Sequence, residues 1–241
     1  MRNVLVTGGS RGIGLAIVRR LAGAGYYMIA LARNPNAELS AAIAEAPGSI
    51  RFVPYDLSDV EGIPELVRKL KAEFGGIYGL VNNAGVGDGA LLTNMHNSQI
   101  DTLIRVNVTA PILLTKYVIR TMMTEADGGR IINMSSIVGS NGYNALAAYG
   151  ATKAAMIGFT KSLSREVGRL GVTVNAVAPG FIETAMTEGM GEGGLEKIVR
   201  RSALRRLAEV EDIAAAVEFL MGEGGRNITG TVLTIDAGNT A

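Results

Sequence analysis

Short runs of β-branched and aliphatic residues alternate with longer helical patterns along almost the whole chain. Most of these runs are apolar at every position, which is typical of parallel strands that helices cover on both faces. The alternation predicts an α/β fold, with seven strands in one doubly wound parallel sheet and right-handed crossovers. The predicted strands are Val4–Thr7, Met28–Ala32, Arg51–Tyr55, Gly79–Asn82, Arg130–Asn133, Thr173–Val177 and Val232–Ile235. Helices are predicted near 12–23, 37–45, 62–73, 98–122, 147–168 and 210–221.

Two stretches need a separate interpretation. Ser58, with Glu61 three residues later, fits a capping box at the start of the third helix. Residues Glu183–Gly194 are rich in glycine and methionine and have the weakest pattern for regular structure. We interpret about 183–205 as a mobile loop over the site. Because no repeat or linker divides the sequence, we expect residues 1–241 to form one domain.

The composition excludes several classes of protein. The chain of 241 residues contains no cysteine, which excludes disulfide frameworks, thiolate metal sites and cysteine nucleophiles. A single histidine, His96, leaves no basis for a histidine cluster, so no metal is expected. A formal charge of +1 argues against nucleic-acid binding through bulk positive potential. We find no signal peptide and no run of ~20 apolar residues, so we expect a cytoplasmic protein that does not bind membranes.

Glycine is the one anomaly in the composition. The chain has 32 glycines among 241 residues, nearly twice the usual ~7%. Part of the excess lies between the first strand and the first helix, where Gly8, Gly12 and Gly14 allow backbone N–H groups to approach a pyrophosphate. A glycine-containing turn with no nucleotide is the alternative, but this position is the one that the motif requires. The predicted cofactor turn consists of Gly8, Ser10, Arg11, Gly12, Ile13 and Gly14.

The end of the second strand indicates which dinucleotide is bound. An acidic residue there binds the ribose 2′-hydroxyl of NAD, whereas an arginine accommodates the 2′-phosphate of NADP. Arg33 occupies this place and Arg11 supplies a second cation, so we predict NADP(H); two solvated surface charges are the alternative. Asp56, followed by Leu57, either meets the adenine edge or only begins a turn.

A tyrosine and a lysine share one face of the predicted helix at 147–168. Tyr149 and Lys153 stand at i and i+4. A lysine cation near a phenol favours the phenolate and lowers the tyrosine pKa, which makes Tyr149 a candidate general acid. Ser136 follows the fifth strand, at the sheet edge where ligands bind, and is placed to hydrogen-bond a reacting carbonyl. The alternatives are an ordinary pair of surface neighbours and a loop serine bonded to its own backbone.

Several motifs together resemble the short-chain dehydrogenase/reductase family. They occur in the family's order and spacing and cover residues 3–238: Thr7–Gly14, Asn82–Gly85, Asn107, Ser136, Tyr149 with Lys153, and Pro179-Gly180. The resemblance implies a single-domain Rossmann fold. In the family, the short members are usually tetramers, packed through the helices that here carry Asn107 and Tyr149.

The resemblance also implies a role for each matched residue. Tyr149 resembles the proton donor, Ser136 the group that orients the carbonyl, and Lys153 the residue that lowers the tyrosine pKa and holds the nicotinamide ribose. Asn107 resembles the residue whose local helix kink holds a water in the proton relay. The implied contacts to the cofactor are Asn83, Ala84 and Gly85 at the adenosine ribose and Pro179, Gly180, Ile182 and Thr184 at the nicotinamide.

Within the family, the sequence is most similar to 3-oxoacyl-[acyl-carrier-protein] reductases. Residues 129–133, 157–163, 177–184 and 228–230 carry this similarity. It implies that NADPH reduces a 3-oxoacyl thioester, carried by acyl carrier protein or coenzyme A, in fatty acid synthesis. The chain departs from these reductases where they often carry basic residues: Thr124–Asp127 is acidic and Leu170 is apolar. Arg169 adjoins Leu170, and the other candidate substitutes are Arg200, Arg201, Arg205 and Arg206; a solvated run of charges near a mobile loop is the alternative.

Two other functions stay open at this point. The same residues serve reductases or dehydrogenases of other carbonyl or alcohol substrates, such as sugars, polyketides or steroid-like alcohols. A non-catalytic nucleotide-binding sensor is the alternative from another class. It has no need for all four of Asn107, Ser136, Tyr149 and Lys153, so the intact set argues against it.

Overall fold

A computed structural model describes residues 1–87, 89–123, 128–182 and 191–241. Within these ranges, seven parallel strands form one sheet in the order β3-β2-β1-β4-β5-β6-β7. The strands are β1 (Asn3–Thr7), β2 (Tyr27–Ala32), β3 (Ile50–Pro54), β4 (Ile77–Asn82), β5 (Gly129–Met134), β6 (Val172–Pro179) and β7 (Val232–Ile235). This confirms the predicted doubly wound sheet. The strand order reverses between β1 and β4, which opens a crevice at their carboxyl ends.

Helices cover both faces of the sheet. They are α1 (Gly12–Gly23), α2 (Ala37–Glu45), α3 (Ile63–Phe74), α4 (Asn97–Ile104), α5 (Ala110–Met122), α6 (Ala147–Val167), α7 (Gly191–Arg201) and α8 (Val210–Met221). Alternate strand residues enter separate cores: Val4 and Val6 pack with α1, α2 and α8, and Leu5 packs with α3, α5 and α6. All three of these β1 side chains are fully buried, which explains why the strand is apolar on both faces.

The third helix begins later than its predicted cap. The prediction of a capping box at Ser58 and Glu61 was wrong, because α3 begins at Ile63. Ser58 instead donates its main-chain N–H to Asp56 Oδ1, 2.9 Å away, in a turn that precedes the helix. Pro64 lies in the first turn of α3, where a missing N–H costs no helical hydrogen bond.

Helix α7 lies in the segment that was interpreted as a loop. Residues 183–190 are outside the described ranges, but the chain is helical over Gly191–Arg201. Leu195, Ile198 and Val199 stand at i, i+3 and i+4, which is the spacing of an amphipathic helix. The loop interpretation over residues 191–201 was therefore wrong, because the glycines that precede this pattern obscure it.

One helical run among the described residues, Asn97–Met122, is long and apolar enough to cross a bilayer by length and composition. In the apolar window of this run, 44% of the residues are buried inside the protein. Leu114, Val118 and Met122 of α5 pack in the same core as the sheet residues Leu5 and Leu80. The run thus has the packing of a core helix.

Candidate active site

The turns after β1 and β4 are locked to one another. Thr7 Oγ1 accepts hydrogen bonds from the main-chain N–H groups of Asn83, at 3.0 Å, and Ala84, at 2.9 Å. The Asn83 side chain donates in return to the Thr7 main-chain oxygen at 2.9 Å. Gly8 has a φ of +67°, and a Cβ on Gly14 would overlap the Gly8 carbonyl oxygen. The backbone of this turn is therefore packed so tightly that only glycine fits at position 14.

A cleft of about 1660 Å³ runs along the carboxyl edge of the sheet. It exceeds the roughly 300–1,000 Å³ of an ordinary small-molecule pocket, so an extended ligand such as a dinucleotide fits it. The residues from the sequence analysis that line it are Gly8, Ser10, Arg11, Gly12, Ile13, Gly14, Arg33, Asp56, Leu57, Asn83, Ala84, Gly85, Ser136, Tyr149, Lys153, Pro179, Gly180 and Ile182. Thr184 lies outside the described residues.

One end of the cleft is basic and leads to the start of α1. Arg11 and Arg33 are exposed, and neither has a carboxylate within 4 Å among the described residues. The first turn of α1 carries no acidic residue and no side-chain cap, so its N–H groups remain available to an anion. Unpaired cations beside a helix N-terminus suit the phosphates of a dinucleotide.

Asp56 both lines the cleft and begins a turn. Its Oδ1 accepts the Ser58 N–H, and this hydrogen bond, with a smaller contribution from the Arg33 charge, holds the pKa of Asp56 below its usual range. The carboxylate is thus ionised at neutral pH. Asp56 begins a turn and also lines the cleft, so the turn does not exclude a contact with the adenine edge.

Tyr149, Lys153 and Ser136 meet at the centre of the cleft. Tyr149 and Lys153 lie one turn apart on α6, and Lys153 Nζ is 5.5 Å from the centroid of the Tyr149 ring. Ser136 caps a short 3₁₀ turn over Ile137–Gly139, and its hydroxyl interacts with the Tyr149 phenol. A carbonyl oxygen bound between Ser136 and Tyr149 would face two hydroxyl donors.

Burial sets the acidity of both ionisable groups. It raises the pKa of Tyr149 to about 12, although the hydrogen bond with Ser136 acts in the opposite direction. Burial lowers the pKa of Lys153 to about 8. Lys153 donates its hydrogen bond to the Met134 main-chain oxygen, 3.0 Å away, and not to the phenol. The pKa of Tyr149 is therefore raised, opposite to the predicted lowering, because desolvation of the phenol is the largest contribution.

Asn107 lies where the long helix departs from α-helical geometry. Residues Arg105–Thr109 form a single π-turn between α4 and α5, in agreement with the expected local kink. The Asn107 amide donates to the Val86 oxygen (2.8 Å) and to Thr152 Oγ1 (3.2 Å), and its Oδ1 accepts the Val86 N–H (2.9 Å). Asn107 thus joins the loop after β4 to the helix that carries Tyr149.

The other end of the cleft is formed by the end of β6. Gly180 donates its N–H to the Ile235 oxygen at 2.8 Å, and a Cβ at this position would lie 2.6 Å from Asp236 Cβ. Phe181 packs edge-to-face against Tyr143, with ring centroids 5.6 Å apart. Close packing against the segment after β7 therefore fixes the residues predicted to flank a nicotinamide.

Sequence reasoning missed the residues that hold α6 against β5. Ser135 Oγ donates to the Lys153 main-chain oxygen at 2.9 Å and is 4% exposed. A Cβ on Gly139 would lie 2.8 Å from the Lys153 carbonyl carbon, and one on Gly150 would lie 3.1 Å from the Val138 oxygen. Gly139 in the 3₁₀ turn and Gly150 in α6 were the sequence signal for the close approach of these two segments.

A buried hydrogen-bond network of amide and hydroxyl groups was also not predicted from the sequence. The Asn82 side chain donates to Thr115 Oγ1 (2.9 Å) and to Asn133 Oδ1 (2.8 Å), and Asn133 donates to Thr160 Oγ1 (2.9 Å). This network runs from α5 through β4 and β5 to α6. It fixes the strand ends that precede Asn83 and Ser136, since buried polar groups that lose a partner are costly.

Comparison with known proteins identifies the family of the chain. The family described as short chain dehydrogenase matches residues 2–193. The chain is 40% identical over 235 residues to the 3-oxoacyl-[acyl-carrier-protein] reductase FabG of Escherichia coli (strain K12), which covers 97% of this chain and 95% of the relative. The FabG protein of Haemophilus influenzae is also 40% identical, over 97% and 96% of the two chains. Nodulation protein G of Rhizobium sp. (strain N33) is 37% identical over 98% and 96%.

Solved structures resemble the fold over its whole length. ElxO with NADP bound has a TM-score of 0.91 and 32% identity, and the match covers 99% of this chain and 98% of ElxO. A blue fluorescent protein from a metagenomic library, in complex with NADPH, has a TM-score of 0.91 and 34% identity over 100% and 98%. The family match covers most of the chain, and the identities exceed 30% over nearly the whole of each relative. The chain therefore belongs to the short-chain dehydrogenase/reductase family of oxidoreductases.

Proposed function

We propose that this chain is an NADPH-dependent reductase of 3-oxoacyl thioesters, which it converts to 3-hydroxyacyl thioesters. The observation that carries the proposal is that Ser136, Tyr149 and Lys153 line the same cleft as the glycine turn and the exposed cations Arg11 and Arg33. The relatives named FabG support the substrate class, and the solved relatives with bound NADP or NADPH support the cofactor.

The shape of the site fits the cofactor. A Cβ at Gly14 would overlap the turn that cradles the pyrophosphate, and Arg11 and Arg33 offer two cations to a 2′-phosphate. When bound, NADPH supplies the hydride, that is, both electrons of the reduction. Gly180 and Ile182 lie at the opposite end of the cleft and would contact the nicotinamide.

The chain's own residues supply the proton and the orientation. The raised pKa keeps Tyr149 protonated at neutral pH, so its hydroxyl can donate a proton to the carbonyl oxygen as hydride reaches the carbon. The Ser136 hydroxyl donates a hydrogen bond to the same oxygen and holds the ketone in place. Lys153, whose Nζ lies within reach of the Tyr149 ring, provides the positive charge that favours the phenolate left behind.

We place this activity in fatty acid synthesis, in the cytoplasm, and expect a homotetramer packed through the helices that carry Asn107 and Tyr149. The resemblance of the sequence supports this setting.

Consumption of NADPH, followed by absorbance, tests the proposed reaction. A short 3-oxoacyl group is offered on acyl carrier protein and on coenzyme A, in parallel with sugar and steroid-like ketones. We expect turnover of the thioesters and little of the other ketones. Preferred turnover of an unrelated ketone would show that the proposed substrate class is wrong. Binding of NADPH without any turnover would favour the non-catalytic sensor.

A further inference from the structure

The end of α7 and the turn that follows it form a strongly basic surface, which we call the α7 patch. Residues 195–206 hold five basic side chains and one acidic one, although the formal charge of the whole chain is only +1. The α7 patch consists of Lys197, Arg200, Arg201, Leu204, Arg205 and Arg206. Helical spacing places Lys197, Arg200 and Arg201 on one face of α7.

The cations of the α7 patch are exposed, and none has a carboxylate within 4 Å in the described part of the chain. Many other surface arginines do form ion pairs, namely Arg19, Arg20, Arg51, Arg68, Arg105 and Arg226. Arg205 has a structural task, because it donates to the Arg200 main-chain oxygen at the end of α7, where a cation is favourable. The other four cations are exposed, so they give the patch a positive potential.

The α7 patch is tied to the nicotinamide end of the cleft. Asn239 accepts a hydrogen bond from the Tyr143 hydroxyl (3.4 Å) and donates to the Ile198 oxygen of α7 (3.3 Å). Tyr143 in turn packs on Phe181, whose two neighbours line the cleft. Arg201 is near enough to Tyr143 for its charge to act on the phenol. A molecule bound at the patch would therefore sit beside the substrate end of the site.

The exposed side chain of Leu204 favours a protein partner over a small anion. Its side chain is 62% exposed, and cationic residues precede and follow it in the sequence. Protein interfaces combine an apolar centre with a polar or charged rim. A folded acidic protein can cover Leu204 and neutralise the arginines, whereas a phosphate group alone would leave the leucine in water.

We propose that the α7 patch is the docking surface for an acidic carrier protein, which delivers the 3-oxoacyl thioester to the cleft. The inference rests on the proposed function and names the partner that presents the substrate. Complementary charge accelerates encounter and selects the partner more than it strengthens the bound complex. The α7 patch thus acts on delivery of the substrate and leaves the chemical step unchanged.

Charge reversal tests the α7 patch. The triple variant Arg200→Glu/Arg201→Glu/Arg206→Glu is compared with the wild type on one 3-oxoacyl group carried by acyl carrier protein, coenzyme A or N-acetylcysteamine. We expect KM for the carrier-bound substrate to rise about tenfold, with kcat unchanged, and neither small thioester to be affected. In the wild type, added salt should raise KM for the carrier-bound substrate alone.

The matched control is Lys69→Glu/Lys71→Glu, which reverses two exposed cations on α3, a helix that carries no residue of the cleft, and should leave all three KM values unchanged. An unchanged carrier KM in the α7 variant, or an equal rise in the control, would overturn the proposal. So would an equal rise with coenzyme A, since the patch would then bind phosphates, or an equal loss with all three substrates. If the wild type reduces no thioester at all, the proposed function fails and the docking surface with it.

Discussion

Lys153 donates its side-chain hydrogen bond to the main-chain oxygen of Met134, the last residue of β5, at 3.0 Å. The next residue, Ser135, donates to the Lys153 main-chain oxygen, so the strand end holds this lysine by both its ammonium group and its backbone. The side chain is 6% exposed, and the ammonium therefore occupies a fixed and poorly hydrated place beneath the cleft. Its position is set by the fold before any ligand binds.

This burial predicts a specific dependence of stability on pH. The pKa of Lys153 is about 8 in the folded chain and about 10.5 in the unfolded chain, so the unfolded state binds more protons between these values. The free energy of unfolding of the wild type should rise with pH in this window, by at most about 1.4 kcal/mol per pH unit from this group. Lys153→Met should lack the rise. Urea unfolding from pH 7 to 10.5 measures it, and parallel curves for the two proteins would contradict the buried cation.

Tyr149→Phe removes the proton donor but keeps the ring. We expect kcat to fall about 100- to 10,000-fold, the usual contribution of general acid catalysis. The dissociation constant for NADPH, measured by fluorescence titration, should stay nearly unchanged because the ring still packs in its place. The matched control is Tyr26→Phe, which should retain activity because Tyr26 is not among the residues that line the cleft. Substantial turnover by Tyr149→Phe would show that another group supplies the proton.

Arg11→Ala/Arg33→Ala should change the choice of cofactor. Hydrogen bonds to charged groups contribute about 1.5–3 kcal/mol each, and less at exposed positions such as these, so we expect KM for NADPH to rise at least about tenfold. KM for NADH should hardly change, since NADH has no 2′-phosphate, and it serves as the internal control. Tighter binding of NADH than NADPH by the wild type would refute the assignment of these arginines.

Gly14→Ala should abolish cofactor binding, because the added Cβ would overlap the Gly8 carbonyl oxygen and lie 2.6 Å from Asn83 Nδ2. The turn would have to open, and we expect a lower melting temperature together with loss of NADPH affinity. Gly168→Ala is the control, since a Cβ there meets no atom within 4 Å and the backbone is helical. Wild-type affinity in Gly14→Ala would mean that the turn does not form the pyrophosphate site.

The sheet was predictable because buried parallel strands tolerate only apolar side chains. Val4, Leu5 and Val6 show this directly, since neighbouring residues enter different cores and are all fully buried. The grouping of the site residues followed from the same pattern, because it fixes which strand ends share an edge.

Burial and local hydrogen bonds were harder to predict. Helical spacing places Tyr149 and Lys153 on one face but does not state how much water reaches them, and desolvation decides both pKa values. The capping box failed for a related reason. Asp56 competes for the Ser58 amide, and a pattern of residue types does not rank two competing acceptors. Such outcomes depend on tertiary contacts that lie far from the motif in sequence.

The π-turn around Asn107 has a consequence for how this helix can change by mutation. Deleting one residue from Arg105–Thr109 would restore regular α-helical bonding and raise the local helical propensity. Because a π-turn accommodates one residue more than an α-turn over about the same rotation, the later side chains of α5 would keep their register, and Leu114 and Val118 would stay in the core. The hydrogen bonds of Asn107 to Val86 would be lost, since they depend on the position that the extra residue gives Asn107. A one-residue deletion in this stretch should therefore spare the folding of the helix and disrupt the site.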